Sequence, residues 1–290
     1  MKKTILITGA NGQLGREMHK VLDSDIFVNA IYTDVEELDI TDAHAIETCI
    51  ISNNVEYIVN CAAFTAVDAA ESNVELCTRL NVEAPALLAQ AAHKHGAKLI
   101  HISTDYVFDG TGCRPYRESD TICPTSVYGR TKAEGEKRII DVAPESIIIR
   151  TAWLYSPHGK NFVKTMLELG RNRESLRVVS DQIGTPTYAL DLASVIKTFI
   201  DCERWHPGIY HFSNEGAISW YDFTMAIHRI AGITTCHVTP CLTNDYPTPA
   251  KRPHYSVLDK SKIKATLGIE IPYWEESLEL CIKELMLNSQ

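Results

Sequence analysis

A glycine loop held between two patterned segments constrains this chain more than any other feature. Thr8-Gly9-Ala10-Asn11-Gly12-Gln13-Leu14-Gly15 follows the apolar run Ile5–Thr8 and opens a helical pattern over Gln13–Leu22. Each glycine then has its own physical task. Gly9 permits the tight turn, Gly12 lets a pyrophosphate reach backbone N–H groups at the helix N-terminus, and Gly15 lets helix and strand pack closely. Asn11, Gln13 and Leu14 belong to the same binding loop. A bare glycine turn would suit many α/β chains; the strand before it and the helix after it narrow the reading.

The first 150 residues repeat this alternation. Val28–Thr33, Tyr57–Ala62, Lys98–Ser103 and Ser146–Thr151 read as further buried strands, with helical spacing over Ala43–Ile51, Val74–Lys94 and Ser126–Ile140. Such alternation predicts an α/β fold, a Rossmann-type doubly wound parallel sheet with helices on both faces. After Arg150 the order loosens into helices near Asn161–Gly170, Tyr188–Asp201, Ser219–Ala231 and Glu275–Leu287, with a strand-like Gly208–Phe212. We expect a smaller, interleaved mixed α/β C-terminal substrate lobe. The dinucleotide-binding lobe takes 1–151 plus about 188–212, and the second lobe takes about 152–187 and 213–290.

Composition removes several function classes. With 290 residues, 45% of them hydrophobic, the chain can bury a large core. A net charge of −9 supplies no basic footprint for nucleic acid or an anionic membrane. No apolar run approaches the roughly 20 residues that cross a bilayer, and no export signal precedes the first strand, so a cytoplasmic location is expected. The nine cysteines form no Cys-x-x-Cys pair and read as reduced thiols, with no metal site among them.

Asp34, at the end of the second strand, is placed for ribose hydroxyls, with Asp39-Ile40 under an adenine and Ala62-Ala63-Phe64 ending the third strand beside the cofactor. An acid there disfavours a 2′-phosphate while Arg16 could accept one, which leaves NADPH or NADH open. Of the twelve tyrosines, Tyr128 alone has lysine four residues on, at Lys132. On a helix such a pair is offset by about 40° and about 6 Å, so phenol and ammonium share one space. Bringing a phenol from its usual pKa of about 10 toward 7 takes roughly 4 kcal/mol, which an ammonium and a cationic nicotinamide could supply. Tyr128 then donates a proton as hydride reaches a carbonyl, and Thr104, at the end of the fourth strand, hydrogen-bonds the substrate oxygen. A chance surface pair is the plain alternative.

The G-x-x-G-x-x-G spacing is the one associated with short-chain dehydrogenases. Beyond it, Asn60–Asp68, Ser103–Gly110, Val127–Lys132, Arg150–Trp153, Asp181–Thr187 and Tyr246–Pro253 together resemble the dTDP-4-dehydrorhamnose reductase family of extended short-chain dehydrogenases. The resemblance implies reduction of the C4 ketone of dTDP-6-deoxy-L-lyxo-4-hexulose to dTDP-L-rhamnose, a precursor for cell-surface polysaccharide. It makes Thr104, Tyr128 and Lys132 catalytic, assigns Thr104, Asp105, Trp153, Asn161, Phe162 and Arg252 to the substrate, and adds Asn81 to the cofactor site. Phe64 replaces a histidine of some members. Some relatives pair through a carboxylate-bound Mg²⁺ at a dimer interface, but no such ligands are legible here, so monomer or homodimer stays open.

Three other readings share parts of this pattern. A sugar-nucleotide 4,6-dehydratase needs Asp-Glu after the threonine, whereas Thr104-Asp105 is followed here by Tyr106. A 4-epimerase shares the fingerprint, but the Thr104–Phe108 and Arg150–Trp153 runs favour a reductase. A non-catalytic subunit, like the regulatory subunit of methionine adenosyltransferase, shares the fold, yet would have no need of both Tyr128 and Lys132.

Overall fold

The computed structural model describes residues 2–287; the outermost ends of the two expected lobes, 1 and 288–290, lie outside the described residues. Strand β1 (Lys3–Thr8) leads through the glycine loop into α1 (Gln13–Leu22), followed by β2 (Val28–Thr33), α2 (Ala43–Asn53) and β3 (Tyr57–Asn60). Short helices α3 (Val67–Ala70) and α4 (Val74–Thr78), a π-helical turn over Arg79–Glu83 and α5 (Ala84–His95) then lead to β4 (Lys98–Thr104). Helix α6 (Val127–Val142) and β5 (Ile147–Thr151) complete the alternating part.

Next come β6 (Leu154–Tyr155), α7 (Phe162–Asn172), β7 (Ser175–Val179), β8 (Ile183–Gly184), β9 (Thr187–Tyr188), α8 (Ala189–Asp201) and β10 (Gly208–His211). The chain finishes with β11 (Ile218–Ser219), α9 (Trp220–Ile230), β12 (His237–Cys241), α10 (Ser261–Leu267) and α11 (Trp274–Leu287).

The main sheet is six-stranded and parallel, in the order β10-β5-β4-β3-β1-β2. Its strands are apolar almost throughout because both faces are covered. One face packs Leu14, Met18 and Leu22 of α1 with Leu192, Ile196 and Phe199 of α8; the other packs Ile46, Leu88, Ala92 and Ile139 from α2, α5 and α6. Thus α8 and β10 return to the first sheet, β10 pairing with β5 from Gly208↔Ile147 to His211↔Arg150. A separate core gathers Tyr155, Val163, Phe223, Ile227, Trp274 and Leu278 around α7, α9 and α11. No helix among the described residues is long and apolar enough to cross a membrane.

Two expectations needed correction. The third strand ends at Asn60, two residues early, and the single helix expected over Val74–Lys94 is broken at Arg79–Glu83. Pro85 explains the break, since it has no N–H to return to the Asn81 carbonyl one turn back. α6 lies so close here that a Cβ on Gly135 would stand 2.1 Å from that carbonyl oxygen. The parallel ladder of β7 with β12 and the helix α10 had no distinct pattern in the sequence.

Candidate active site

Parallel strands end on one edge, and there a cleft of about 680 Å³ opens between the glycine loop, the ends of β3, β4 and β5, and the segments carrying Trp153, Phe162 and Trp220. Thr104, Tyr128 and Lys132 all line it. Ser126 caps α6 by accepting from the Gly129 N–H at 3.1 Å, which starts the helix one residue before the phenol. Gly129 lets that end press onto the turn after β4: a Cβ would fall 2.3 Å from the Tyr106 carbonyl oxygen. The packing puts the Thr104 side chain beside the Tyr128 phenol and sets Tyr106 edge-on to Tyr128 at 5.5 Å. Thr104 Oγ1 donates to Asp105 Oδ1 at 3.0 Å and accepts from the Tyr106 N–H at 3.2 Å.

Charge at the trio differs from the sequence expectation. Burial pushes the Tyr128 phenol above its ordinary range, whereas proximity to Lys132 was expected to lower it. The reason is where the amine points: Lys132 Nζ donates to the Ile102 carbonyl at 2.7 Å and lies 3.1 Å from His101 Nε2, so it faces β4. Burial also lowers Lys132 to about 8 and raises Asp105 to about 6. A phenol that keeps its proton is in the state a proton donor requires.

The glycine loop is built as a cradle. Gly9 has φ +65° and lies so close to the segment after β3 that a Cβ would stand 2.7 Å from the Ala62 nitrogen, while one on Gly15 would stand 2.4 Å from the Gly9 carbonyl oxygen. Gly12 caps α1 with no side chain of its own over the first-turn N–H groups, which fits a pyrophosphate. Gly9, Gly12, Gln13, Leu14, Asp34 and Ala63 line the cleft. Asp34 accepts from the Asn11 N–H at 3.0 Å, and Asn11 accepts from Arg16.

Other predicted residues stand behind the lining. Gly15 and Ala62 pack beneath the loop, and Asn11 lies at its outer side. Asp39 is exposed and binds Thr41; Ile40 is buried in the core beneath α2 and α5. Asn81 does not reach the cleft: its amide clamps the Phe64 backbone, accepting from N–H at 2.9 Å and donating to the carbonyl at 3.1 Å. Phe64 packs with Val127 and Tyr128.

On the opposite wall, Trp153 stacks on Trp220 at 3.5 Å, and Phe162 leans against Trp220 at 4.5 Å. Trp153 adopts φ +47°, a conformation that costs a non-glycine residue about 1–3 kcal/mol and gathers at functional sites. Asn161 Nδ2 donates to Gln13 Oε1 at 2.9 Å, tying this wall to α1. Arg252 was expected to meet the substrate; instead it pairs with both oxygens of Asp68, at 3.0 and 2.7 Å, and does not line the cleft. The exposed Lys160 is the lining cation on this side. Trp220 and Lys160 escaped the sequence reading. Trp220 starts an amphipathic helix, where an aromatic reads as core.

A doubly wound sheet with a glycine cradle and a Thr/Tyr/Lys trio at its carboxyl edge defines an extended short-chain dehydrogenase/reductase. The model of the RmlD substrate binding domain matches residues 1–287. A dTDP-4-dehydrorhamnose reductase of Aggregatibacter actinomycetemcomitans is 44% identical over 284 residues, 95% of this chain and 97% of that protein. The crystal structure of a dTDP-4-dehydrorhamnose reductase from Clostridium acetobutylicum is similar at TM-score 0.93 and 46% identity, covering 98% of this chain and 99% of that one. One from Bacillus anthracis, solved in complex with NADP, is similar at TM-score 0.94 and 37% identity, covering 98% and 100%. The chain belongs to the dTDP-4-dehydrorhamnose reductase family.

Proposed function

We propose that this protein is a cytoplasmic NADPH- or NADH-dependent reductase that converts the C4 ketone of dTDP-6-deoxy-L-lyxo-4-hexulose to the alcohol of dTDP-L-rhamnose. The observation carrying this reading is the meeting of Thr104, Tyr128 and Lys132 in the cleft that also holds the glycine cradle. The cradle N–H groups at Gly12–Leu14 hold the pyrophosphate, and Asp34 takes ribose hydroxyls. Bound reduced nicotinamide supplies the hydride. Tyr128 delivers its phenolic proton to the C4 oxygen, Thr104 orients the carbonyl, and Lys132 holds the nicotinamide ribose. Asp105, Trp153, Asn161 and Phe162 position the sugar nucleotide. Its two lobes are 1–151 with about 188–212, and about 152–187 with 213–290.

The deciding experiment mixes enzyme, reduced coenzyme and dTDP-4-dehydrorhamnose, follows reduced-nicotinamide absorbance and determines the stereochemistry of the product sugar. Stoichiometric coenzyme oxidation with dTDP-L-rhamnose as product is expected. Epimerised or dehydrated sugar without net coenzyme consumption would overturn the assignment.

A further inference from the structure

Behind the trio a line of buried polar groups runs back through the sheet, and the chemistry above uses only its last member. Thr8 of β1, Asn60 of β3 and His101 of β4 are register partners, and each is at most 1% exposed. Thr8 Oγ1 donates to Asn60 Oδ1 at 2.7 Å, and the Ala62 backbone N–H donates to the same oxygen at 3.1 Å. Asn60 Nδ2 lies 3.0 Å from His101 Nδ1, and His101 Nε2 lies 3.1 Å from Lys132 Nζ.

These contacts have a direction. A backbone N–H can only donate, so the Asn60 oxygen faces Ala62 and its NH₂ faces His101. Nδ1 must therefore accept, which leaves the proton of the neutral ring on Nε2, aimed at Lys132. An ammonium offers only N–H groups and would oppose it; an amine accepts it while still donating to the Ile102 carbonyl. Burial, and Lys132 beside it, keep the His101 pKa well below its ordinary value, so the ring is neutral.

We propose that His101, oriented by Asn60, is a positioning residue that sets how readily Lys132 gives up its proton. It acts through Lys132, and its bearing on turnover rests on the proposed role of that residue. The other titratable groups acting on Lys132 are Glu136 on its own helix and Cys77 from α4; both favour the ammonium. Glu136 is already held by Arg150 through both oxygens and by Ser103. Burial has brought Lys132 down to about 8, and the imidazole N–H pushes in the same direction. The amine and ammonium then interconvert near neutral pH, as replacing the proton lost from Tyr128 requires.

Two measurements on the cofactor-free protein test this without turnover. Ring ¹⁵N shifts should show the Nε2–H tautomer of His101, and ¹³Cε shifts should give a Lys132 midpoint near 8. Asn60→Asp places an acceptor against Nδ1, draws the ring proton there and frees Nε2 to accept from the ammonium; His101→Gln removes the fixed N–H. The Lys132 midpoint should rise by about one pH unit in each folded variant, and the basic limb of the kcat profile should follow. An Nδ1–H tautomer in the unmodified protein, or an unmoved midpoint in His101→Gln, overturns the proposal. A moved midpoint with an unmoved kcat profile supports it and instead removes Lys132 from the reaction.

Discussion

The two walls of the cleft are held by different physics. On the sheet side, the functional groups sit at strand ends or at a helix start, backed by buried hydrogen bonds: Thr104 to Asp105, Lys132 to Ile102, Asn60 to Ala62. On the far side, Trp153, Trp220 and Phe162 rest on one another, and the strands there come in pairs of as few as two residues. Directional bonds fix atoms to within fractions of an ångström, as proton and hydride transfer demand, whereas stacked rings tolerate small shifts. On the proposed function, the sheet wall carries the chemistry and the aromatic wall the recognition of the sugar nucleotide. A separation of this kind lets the reaction stay fixed while the recognised sugar changes.

The largest effect expected is on the sheet wall. Tyr128→Phe should lower kcat by 10²–10⁴-fold, roughly the worth of a positioned general acid, with coenzyme affinity, measured by fluorescence titration, nearly unchanged. Retained turnover would break the assignment of chemistry to that wall. Next, Gly15→Ala forces a methyl against the Gly9 carbonyl and Ala10, an overpacking cost of about 1–3 kcal/mol. Its coenzyme Kd should weaken by about tenfold to a hundredfold and its Tm should fall, both readable by titration and thermal melting.

On the aromatic wall, Trp220→Ala removes a stacked pair worth about 0.5–1.5 kcal/mol beyond its buried area. KM for the sugar nucleotide should rise about three- to tenfold while coenzyme Kd stays put. A fall in kcat alone, with KM unchanged, would erase the distinction between the walls. The smallest effect falls on the ion pair of Asp68 with Arg252, outside the cleft lining. Asp68→Asn breaks a partly exposed bridge to Arg252 worth up to about 1 kcal/mol. Hydrogen bonding from Arg252 holds the Asp68 carboxyl below its ordinary value, so the pair stabilises above the unfolded pKa of about 4 and loses that contribution as pH falls through the lower folded value. The Tm gap between protein and variant should persist from pH 7 to 5 and close below about pH 4.

Legibility in the sequence followed the same division. Val28–Thr33 and Gln13–Leu22 were read with their observed bounds, and β10 was expected to return to the first sheet, because covered parallel strands and amphipathic helices write their burial into local periodicity. Trp153 was named through the family resemblance, but its partner Trp220 stands 67 positions away in another element. No spacing rule joins them. Arg252 was assigned to the substrate through the resemblance, and only folding showed Asp68 closing on it from 184 positions away.

The sequence by itself determined the strands and helices of the alternating half, the glycine loop and the one-turn spacing of Tyr128 and Lys132, since each is written in residues within a few turns of one another. Tertiary structure alone decided that Lys132 faces His101, that the Tyr128 phenol is pushed up, and that Arg252 is engaged. Proton affinity and ion pairing depend on desolvation and on neighbours brought in by other strands and helices, and a linear pattern does not encode those distances.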